Sequence, residues 1–287
     1  MEQMMPKPVS VWLPKTIEEA WQYKERFGTD AEYVAGGTLI QVKREKQGVL
    51  APYLISLQQI SEQQNIREDV EGEMLNIGAG VTLSECLGHP LLTKRAPFLL
   101  EAISSIGAPA IRNQGTIGGN VAYGIGDTLM VLLAKRALVK TFSNVGYKTQ
   151  SLEDYLTEKS PSILVSIHLP FMDQTSRSAW LFKKIGRREA FIPSAVSIAL
   201  YLSWNEANEC EQARLVVAGG ENTPQRLESC EQRLIGSTLK TIHLPQLKKQ
   251  LKEEISLAGD EFTSETYRVT VAANILHQGL SDVFHAM

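Results

Sequence analysis

Little in this sequence points to a metal or a disulfide. Its 3 cysteines, Cys86, Cys210 and Cys230, are scattered and odd in number, with no C-x-x-C pair. That excludes a disulfide framework and a cysteine-ligated zinc or iron-sulfur site, and leaves reduced thiols. The 5 histidines, His89, His168, His243, His277 and His285, form no H-E-x-x-H and no i, i+4 pair, so no helix face offers two imidazoles to an ion. Charge of one sign is lacking as well. With 29 Lys+Arg against 32 Asp+Glu the net charge is −3, which excludes bulk attraction to nucleic acid or anionic lipid. The opening MEQMMPKPVSVWLPK holds no apolar run of signal-peptide length, and nothing downstream approaches the roughly 20 apolar residues that span a bilayer. A cytoplasmic location is therefore expected, with neither a nucleic-acid nor a membrane partner. Two nucleotide signatures are missing too: there is no G-x-x-x-x-G-K-[ST], and no G-x-G-x-x-G follows the first strand-like run, which disfavours a P-loop and a Rossmann site.

What is present is an ordinary globular composition, 43% hydrophobic and 21% charged over 287 residues, enough for two compact domains with one of them subdivided. The first half alternates in type. Residues 9–13 read as a strand, and Thr16 with Glu19 forms a capping box opening a helix through Phe27. A strand at 32–35 runs into Gly36-Gly37-Thr38 and a helix to about 46; further strand-like runs lie at 53–57 and, as a hairpin, at 65–79. A helix is expected over 91–106, and another opens at Asp127. After the β-type run 163–169, the polar segment 172–178 reads as a linker. Strands at 179–184, 196–204 and 213–218 then precede helices at 224–234, 244–255 and 264–277, the order of a separate α+β domain. The expected division is 1–172, with subdomains 1–58 and 59–172, followed by 173–287.

The glycines need context. Gly36-Gly37-Thr38 lies where a strand hands over to a helix, and the first N–H groups of a helix are unpaired and partly positive. Glycine there lets an anion approach the amides, and the Thr38 hydroxyl adds a donor. Thr116-Ile117-Gly118-Gly119-Asn120 repeats the chemistry, so two such loops would grip one pyrophosphate. Each loop alone also reads as a tight turn. Asp127 is either a helix cap or an acceptor for a ribityl or ribose hydroxyl.

Here the sequence resembles a known family. AGGTLIQVKR, IGAPAIRNQGTIGGNVA, Asp127-Thr128-Leu129, ILVSIHLP and FKKIGRREAF, in that order over about residues 7–235, are similar to the FAD-binding subunit of molybdenum hydroxylases, the medium chain of the xanthine dehydrogenase and carbon monoxide dehydrogenase type. The I-R-N-x-G-T-I-G-G-N string is highly specific to it. The resemblance implies an α+β fold, with FAD between two α/β subdomains and a C-terminal α+β domain behind them. It places the first phosphate loop on Val34, Ala35, Gly36, Gly37, Thr38 and Leu39, and the second on Thr116, Ile117, Gly118, Gly119 and Asn120. Asp127 falls on the ribityl side, Leu164 at a backbone contact to the ring, and Lys184 near the ring, four before Arg188. Phe191 matches an aromatic close to the isoalloxazine, though a strand lysine is usually solvated and a phenylalanine usually core.

The sequence also departs from the family. Tyr123-Gly124-Ile125-Gly126-Asp127 is about two residues shorter than the S-P-x-x-D stretch of many members, and Ile192 stands where an aspartate is frequent. Arg112 and Asn113 match the string without an assignable contact. The chain holds no cluster ligands and no molybdopterin site. The resemblance therefore implies an oxidoreductase subunit with no acid-base catalytic residues of its own. Electrons would come from a partner with two-iron two-sulfur clusters, fed by a molybdopterin-binding large subunit acting on xanthine or a related purine, the common use in the family, or on carbon monoxide, an aldehyde or an aromatic heterocycle, and would leave at FAD to NAD or oxygen. Two other readings stand beside it: a flavin-less scaffold of the same fold, and a self-sufficient flavin oxidoreductase.

Overall fold

The structure is a computed structural model that describes residues 9–47, 50–158, 160–171, 177–186, 194–238 and 241–285. Contacts divide the chain into two units, one of Met1–Leu91, Pro109–Ala122 and Leu138–Leu169, the other of Leu92–Ala108, Tyr123–Ala137 and Pro170–Met287. The expected boundary near 173, together with Phe191, Arg188 and Ile192, lies outside the described residues.

The first unit carries two sheets. Strands β1 (Ser10–Trp12), β2 (Ala31–Val34) and β3 (Tyr53–Ser56) form a parallel sheet with β3 in the centre. The helix Ile17–Phe27 returns the chain from β1 to β2, and Thr16 caps it by accepting from the Glu19 N–H at 3.1 Å. Its apolar stripe packs Tyr23 and Phe27 against Trp12 and Tyr53, with ring centroids 4.8 Å apart for Trp12–Tyr23 and 4.1 Å for Phe27–Tyr53. Strands β4 (Ile66–Asp69), β5 (Met74–Gly78), β6 (Leu138–Ser143), β7 (Gly146–Ser151) and β8 (Ile163–Pro170) make the second sheet, ordered β4-β5-β8-β6-β7. One core joins the two, since Ile163 and Val165 of β8 pack with Ile17, Ala20, Ile55 and Ile60. They can do so because β8 is bulged: Lys140 pairs with Ser166 but Thr141 with Leu164. The extra residue, Val165, breaks the alternation of faces, leaving Ile163, Leu164 and Val165 buried in a row.

The second unit is an antiparallel sheet ordered β12-β11-β10-β9, from β9 (Arg177–Gly186), β10 (Ser194–Trp204), β11 (Cys210–Gly219) and β12 (Asn222–Arg226). Strand β10 is buried along nearly its whole length, which requires cover on both faces. Its even-numbered residues, Val196 to Trp204, enter a core with the helices Glu228–Leu234, Leu244–Glu254 and Glu265–His285. Its odd-numbered Tyr201 lies under the Lys135 ammonium, 3.8 Å from the ring centroid, at the C-terminal end of the helix Thr128–Ala134.

Several elements depart from expectation for local reasons. The helix expected over 91–106 is two, Pro90–Arg95 and Pro97–Ser104, because a proline cannot continue the helix before it. Residues 224–226, read as the start of a helix, belong to β12 (Asn222–Arg226), and the last helix runs on to His285. The third glycine pair turns between β11 and β12: a Cβ on Gly219 would lie 2.1 Å from the Ala195 carbonyl oxygen, and Gly220, at φ +62°, rests on the Arg268 guanidinium. No helix among the described residues is long and apolar enough to cross a membrane.

Candidate functional site

The first loop connects β2 to the helix Thr38–Gln47. Gly37 has φ +74°, a backbone conformation that costs an L-residue roughly 1–2 kcal/mol. This conformation turns the chain into the helix. Among the described residues no acceptor is recorded for the backbone N–H groups of Gly36, Gly37, Thr38, Leu39 and Ile40, while the next, Gln41, bonds to the Gly37 carbonyl at 3.3 Å. The helix carries no acidic side chain in its first turn. Five successive donors with no recorded acceptor among the described residues, reinforced by a ten-residue helix dipole, fit an anion with several acceptor oxygens. A Cβ on Gly37 would find only the Val34 Cγ1, at 3.9 Å, so one side of the loop is open for such a group.

The second loop is built differently, which corrects the expectation that both loops offer free amides. The Ile117 N–H donates to the Val81 carbonyl at 2.9 Å and the Gly118 N–H to the Ala79 carbonyl at 2.9 Å. Gly119 donates to Thr116 Oγ1 at 3.0 Å and Asn120 to the Thr116 carbonyl at 3.0 Å. These amides are used because the short helix Ile117–Ala122 docks its first turn on the chain leaving β5. What this loop can still offer a ligand is the Thr116 hydroxyl hydrogen. Gly118 is glycine for a protein contact, since its Cβ would lie 2.5 Å from both Cβ and O of Ala79; the same atom on Gly119 would meet only Thr116 Oγ1, at 3.1 Å.

Leu164 is buried in β8, and its carbonyl accepts from Gln63 Nε2 at 2.8 Å. In the second unit the structure brings Asp127 and Lys184 together, a pairing not expected from the sequence. Lys184 Nζ lies 2.6 Å from Asp127 Oδ2 and donates to the Ser105 carbonyl at 3.2 Å, and Ser197 Oγ donates to Asp127 Oδ1 at 3.1 Å. Both charged side chains are 16% exposed. Asp127 makes no side-chain capping bond to its helix, so the cap reading fails and its carboxylate faces the sheet instead. Ser197 had no sequence signal beyond its place in an apolar strand.

Nearby thiols are inert: burial pushes Cys86 up to about 12, far from the thiolate range. No group of three metal-ligating side chains occurs among the described residues. Asn113, without an assignable contact from the sequence, accepts from Ser84 Oγ at 2.5 Å.

At the helix N-terminus of this mixed fold, a row of amides with no recorded acceptor among the described residues suits an anion. Which cofactor follows from comparison. Residues 7–172 match the family described as the FAD binding domain in molybdopterin dehydrogenase, and residues 180–283 match the CO dehydrogenase flavoprotein C-terminal domain. The first match spans more than half of the chain, which belongs to that family; FAD is its cofactor, and it is an oxidoreductase flavoprotein. The chain is 26% identical over 292 residues to the 6-hydroxypseudooxynicotine dehydrogenase complex subunit alpha of Paenarthrobacter nicotinovorans, covering 98% of this chain and 96% of that one. It is 26% identical to the carbon monoxide dehydrogenase medium chain of Hydrogenophaga pseudoflava, with 81% and 82% covered. It is 22% identical to a putative xanthine dehydrogenase FAD-binding subunit of Escherichia coli, with 89% of each covered. In fold it superposes on a chain of the Hydrogenophaga pseudoflava carbon monoxide dehydrogenase structure with a TM-score of 0.88, at 22% identity and over 98% of this chain and 99% of that one.

Proposed function

We propose that this chain is the FAD-carrying electron-transfer subunit of a molybdenum hydroxylase complex. Its partners are a small subunit with two-iron two-sulfur clusters and a large molybdopterin-binding subunit, and NAD or oxygen takes the electrons. FAD, when bound, supplies a carrier that takes up electrons singly and gives them up in pairs. The chain itself binds and orients. The observation that carries the reading is the row of unpaired N–H groups from Gly36 to Ile40, a receptor for the diphosphate of FAD, with Val34, Ala35 and Leu39 completing that loop. The Thr116 hydroxyl adds a side-chain donor at the second loop, where Ile117, Gly118, Gly119 and Asn120 enter through the family resemblance. Asp127, Leu164 and Lys184 enter the proposal through the family resemblance, as does the division into 1–172, with subdomains 1–58 and 59–172, and 173–287.

The substrate is set by the large subunit. The sequence resemblance favours a xanthine-like hydroxylase, and the relatives' names, which include carbon monoxide, nicotinate and xanthine dehydrogenases, make the copurifying large subunit the deciding observation. The test has two arms. The purified chain reconstituted with FAD is expected to hold about one flavin per chain by visible absorption. Coexpression with its neighbours is expected to bring down iron and molybdenum. A folded chain that cannot be loaded would support the flavin-less scaffold instead, and a loaded chain that reduces a small substrate unaided would support the self-sufficient oxidoreductase.

A further inference from the structure

We propose that Gln114 and Gly115, with Asn113 behind them, are positioning residues: they touch no ligand but hold the first loop in its anion-receiving shape. This rests on the diphosphate reading of that loop. With no recorded acceptor among the described residues for its five successive N–H groups, this segment is not fixed through its amides, so packing must hold them in place. The packing partner is visible at Gly36. A Cβ there would lie 1.7 Å from the Gln114 carbonyl oxygen and 3.0 Å from the Gly115 Cα. Both are backbone atoms that no rotamer change can move. The main chain of 114–115 is thus pressed against the main chain of the first loop, with no room for one methyl.

That backing is itself anchored. The Gly115 carbonyl accepts from the Leu83 N–H at 2.8 Å, and the Gly115 N–H donates to the Ile111 carbonyl at 2.7 Å. Leu83 opens a helix closed by a reciprocal capping box between Thr82 and Glu85, and the next residue, Ser84, holds Asn113. A Cβ on Gly115 would come within 3.6 Å of Thr38 Oγ1, so the same wedge reaches the hydroxyl at the helix start. Support therefore passes from the capped helix through 113–115 to Gly36. The first half of the R-N-Q-G-T-I-G-G-N string shapes the other loop, while only its second half faces the ligand.

The test uses the full chain and two probes, FAD and riboflavin, which lacks the diphosphate. In Gly36→Ala the added methyl points at Gln114 and not at the ligand. FAD affinity is expected to fall ~10-fold or more while riboflavin affinity stays within about twofold. In the flavin-free protein the Leu83 and Gly115 amides are expected to exchange hydrogen faster than in the parent, because the wedge is pushed off. Ser84→Ala and Asn113→Ala are each expected to weaken FAD binding ~2- to 10-fold. Their double variant should be no worse than either alone, and Ser84→Thr should restore binding. Wild-type FAD affinity in a folded Gly36→Ala protein would overturn the proposal. So would lost affinity with Leu83 and Gly115 exchange unchanged, which would mean that Gly36 acts on the ligand directly. If Gly36→Ala does not fold, additive losses in the Ser84 and Asn113 cycle would overturn it. A parent chain that binds no FAD sinks the functional reading instead, and the exchange comparison still decides whether the wedge holds the loop.

Discussion

Gly118 and Gly119 are adjacent in sequence, and the structure expects opposite outcomes from the same substitution. In Gly118→Ala the new methyl would sit 2.5 Å from both Cβ and O of Ala79. Neither can swing away, so the short helix must lift off the chain that follows β5. Overpacking of this kind costs ~1–3 kcal/mol, and weakening the Gly118 N–H bond to the Ala79 carbonyl adds about 1 kcal/mol. Flavin-free protein is then expected to lose ~2–4 kcal/mol in urea unfolding. In Gly119→Ala the methyl meets only Thr116 Oγ1, at 3.1 Å, which yields by a few tenths of an ångström. Replacing a helical glycine returns up to ~0.5–1 kcal/mol, so stability should change by less than about 1 kcal/mol. Under the proposed function the Thr116 hydroxyl is a donor to FAD at this loop, and the methyl displaces it. Losing that charge-assisted hydrogen bond at ~1.5–3 kcal/mol corresponds to a ~10- to 100-fold weaker Kd for FAD in a fluorescence titration. Equal loss of stability in both variants would refute the assignment of the two glycines to different neighbours. Wild-type FAD affinity in Gly119→Ala would refute the Thr116 hydroxyl as a donor to FAD.

Arg268→Met, in the second unit, is expected to cost ~2–4 kcal/mol in urea unfolding, because it removes the partner of the Ala258 carbonyl, 2.6 Å away, and of Thr263 Oγ1, 2.8 Å away, from a site 1% exposed. Its ion-pair partner Asp260 is held far below the usual carboxylate range, first by the Phe262 N–H and last by Arg268. With the folded pKa depressed, that contribution is full at neutral pH and is lost only as pH falls below the ordinary aspartate value, which an acid titration of unfolding would show. Glu231→Gln should cost ~2–4 kcal/mol by the same assay, since the buried carboxylate bridges the Arg226 guanidinium, 2.5 Å away, and the Leu215 N–H, 2.9 Å away. Burial, and then Lys140 and Arg67, hold His168 below its ordinary value against the opposing pull of Asp69. Stability tied to it is present above about pH 6.5 and falls as pH drops through that value. His168→Gln is expected to flatten the stability profile between about pH 7 and 5, measured as Tm against pH.

Much of the architecture could be read from pattern alone. The N-cap at Thr16, the strand leading into Gly36 and the hairpin over 65–79 each rest on local rules and appear in the structure, although the Glu19 carboxylate accepts from the Lys15 N–H, at 2.8 Å, and so does not complete the capping box. The breaks appear where a tertiary contact overrides local preference. Residues 222–226 form β12 because β11 offers an edge to pair with, as in Val216↔Arg226 and Val217↔Gln225, although Pro224 suggested a helix start. The bulge at Val165 is invisible in an apolar run such as ILVSIHLP, where either register keeps hydrophobic residues inside. At the site, the glycine loops were legible because their residue types are unusual for their places. The Asp127–Lys184 pair was not, since the partners are far apart in sequence and only the sheet register that brings Lys184 opposite Ser197 puts them together.

The two glycine pairs show why such a loop needs two small residues and not one. A backbone that must lie against a ligand on one side is backed by protein on the other, and each side forbids a side chain for its own reason. In the first loop Gly36 meets the Gln114 carbonyl while Gly37 has only the Val34 Cγ1, at 3.9 Å; in the second, Gly118 meets Ala79 while Gly119 meets only the side-chain Thr116 Oγ1, at 3.1 Å. Sequence alone sees two equivalent residues in each pair and assigns both to the anion. The amides follow the same division. Those of the first loop have no recorded acceptor among the described residues, its support coming through van der Waals contact at Gly36, whereas those of the second are spent on the chain at 79–81 and on Thr116. Under the proposed function, one loop receives the diphosphate and the other chiefly supports the fold around it, with the Thr116 hydroxyl at its edge. This asymmetry makes the Gly36→Ala and Gly119→Ala variants separable: the first should lose FAD through a displaced wedge and faster amide exchange, and the second with the wedge intact.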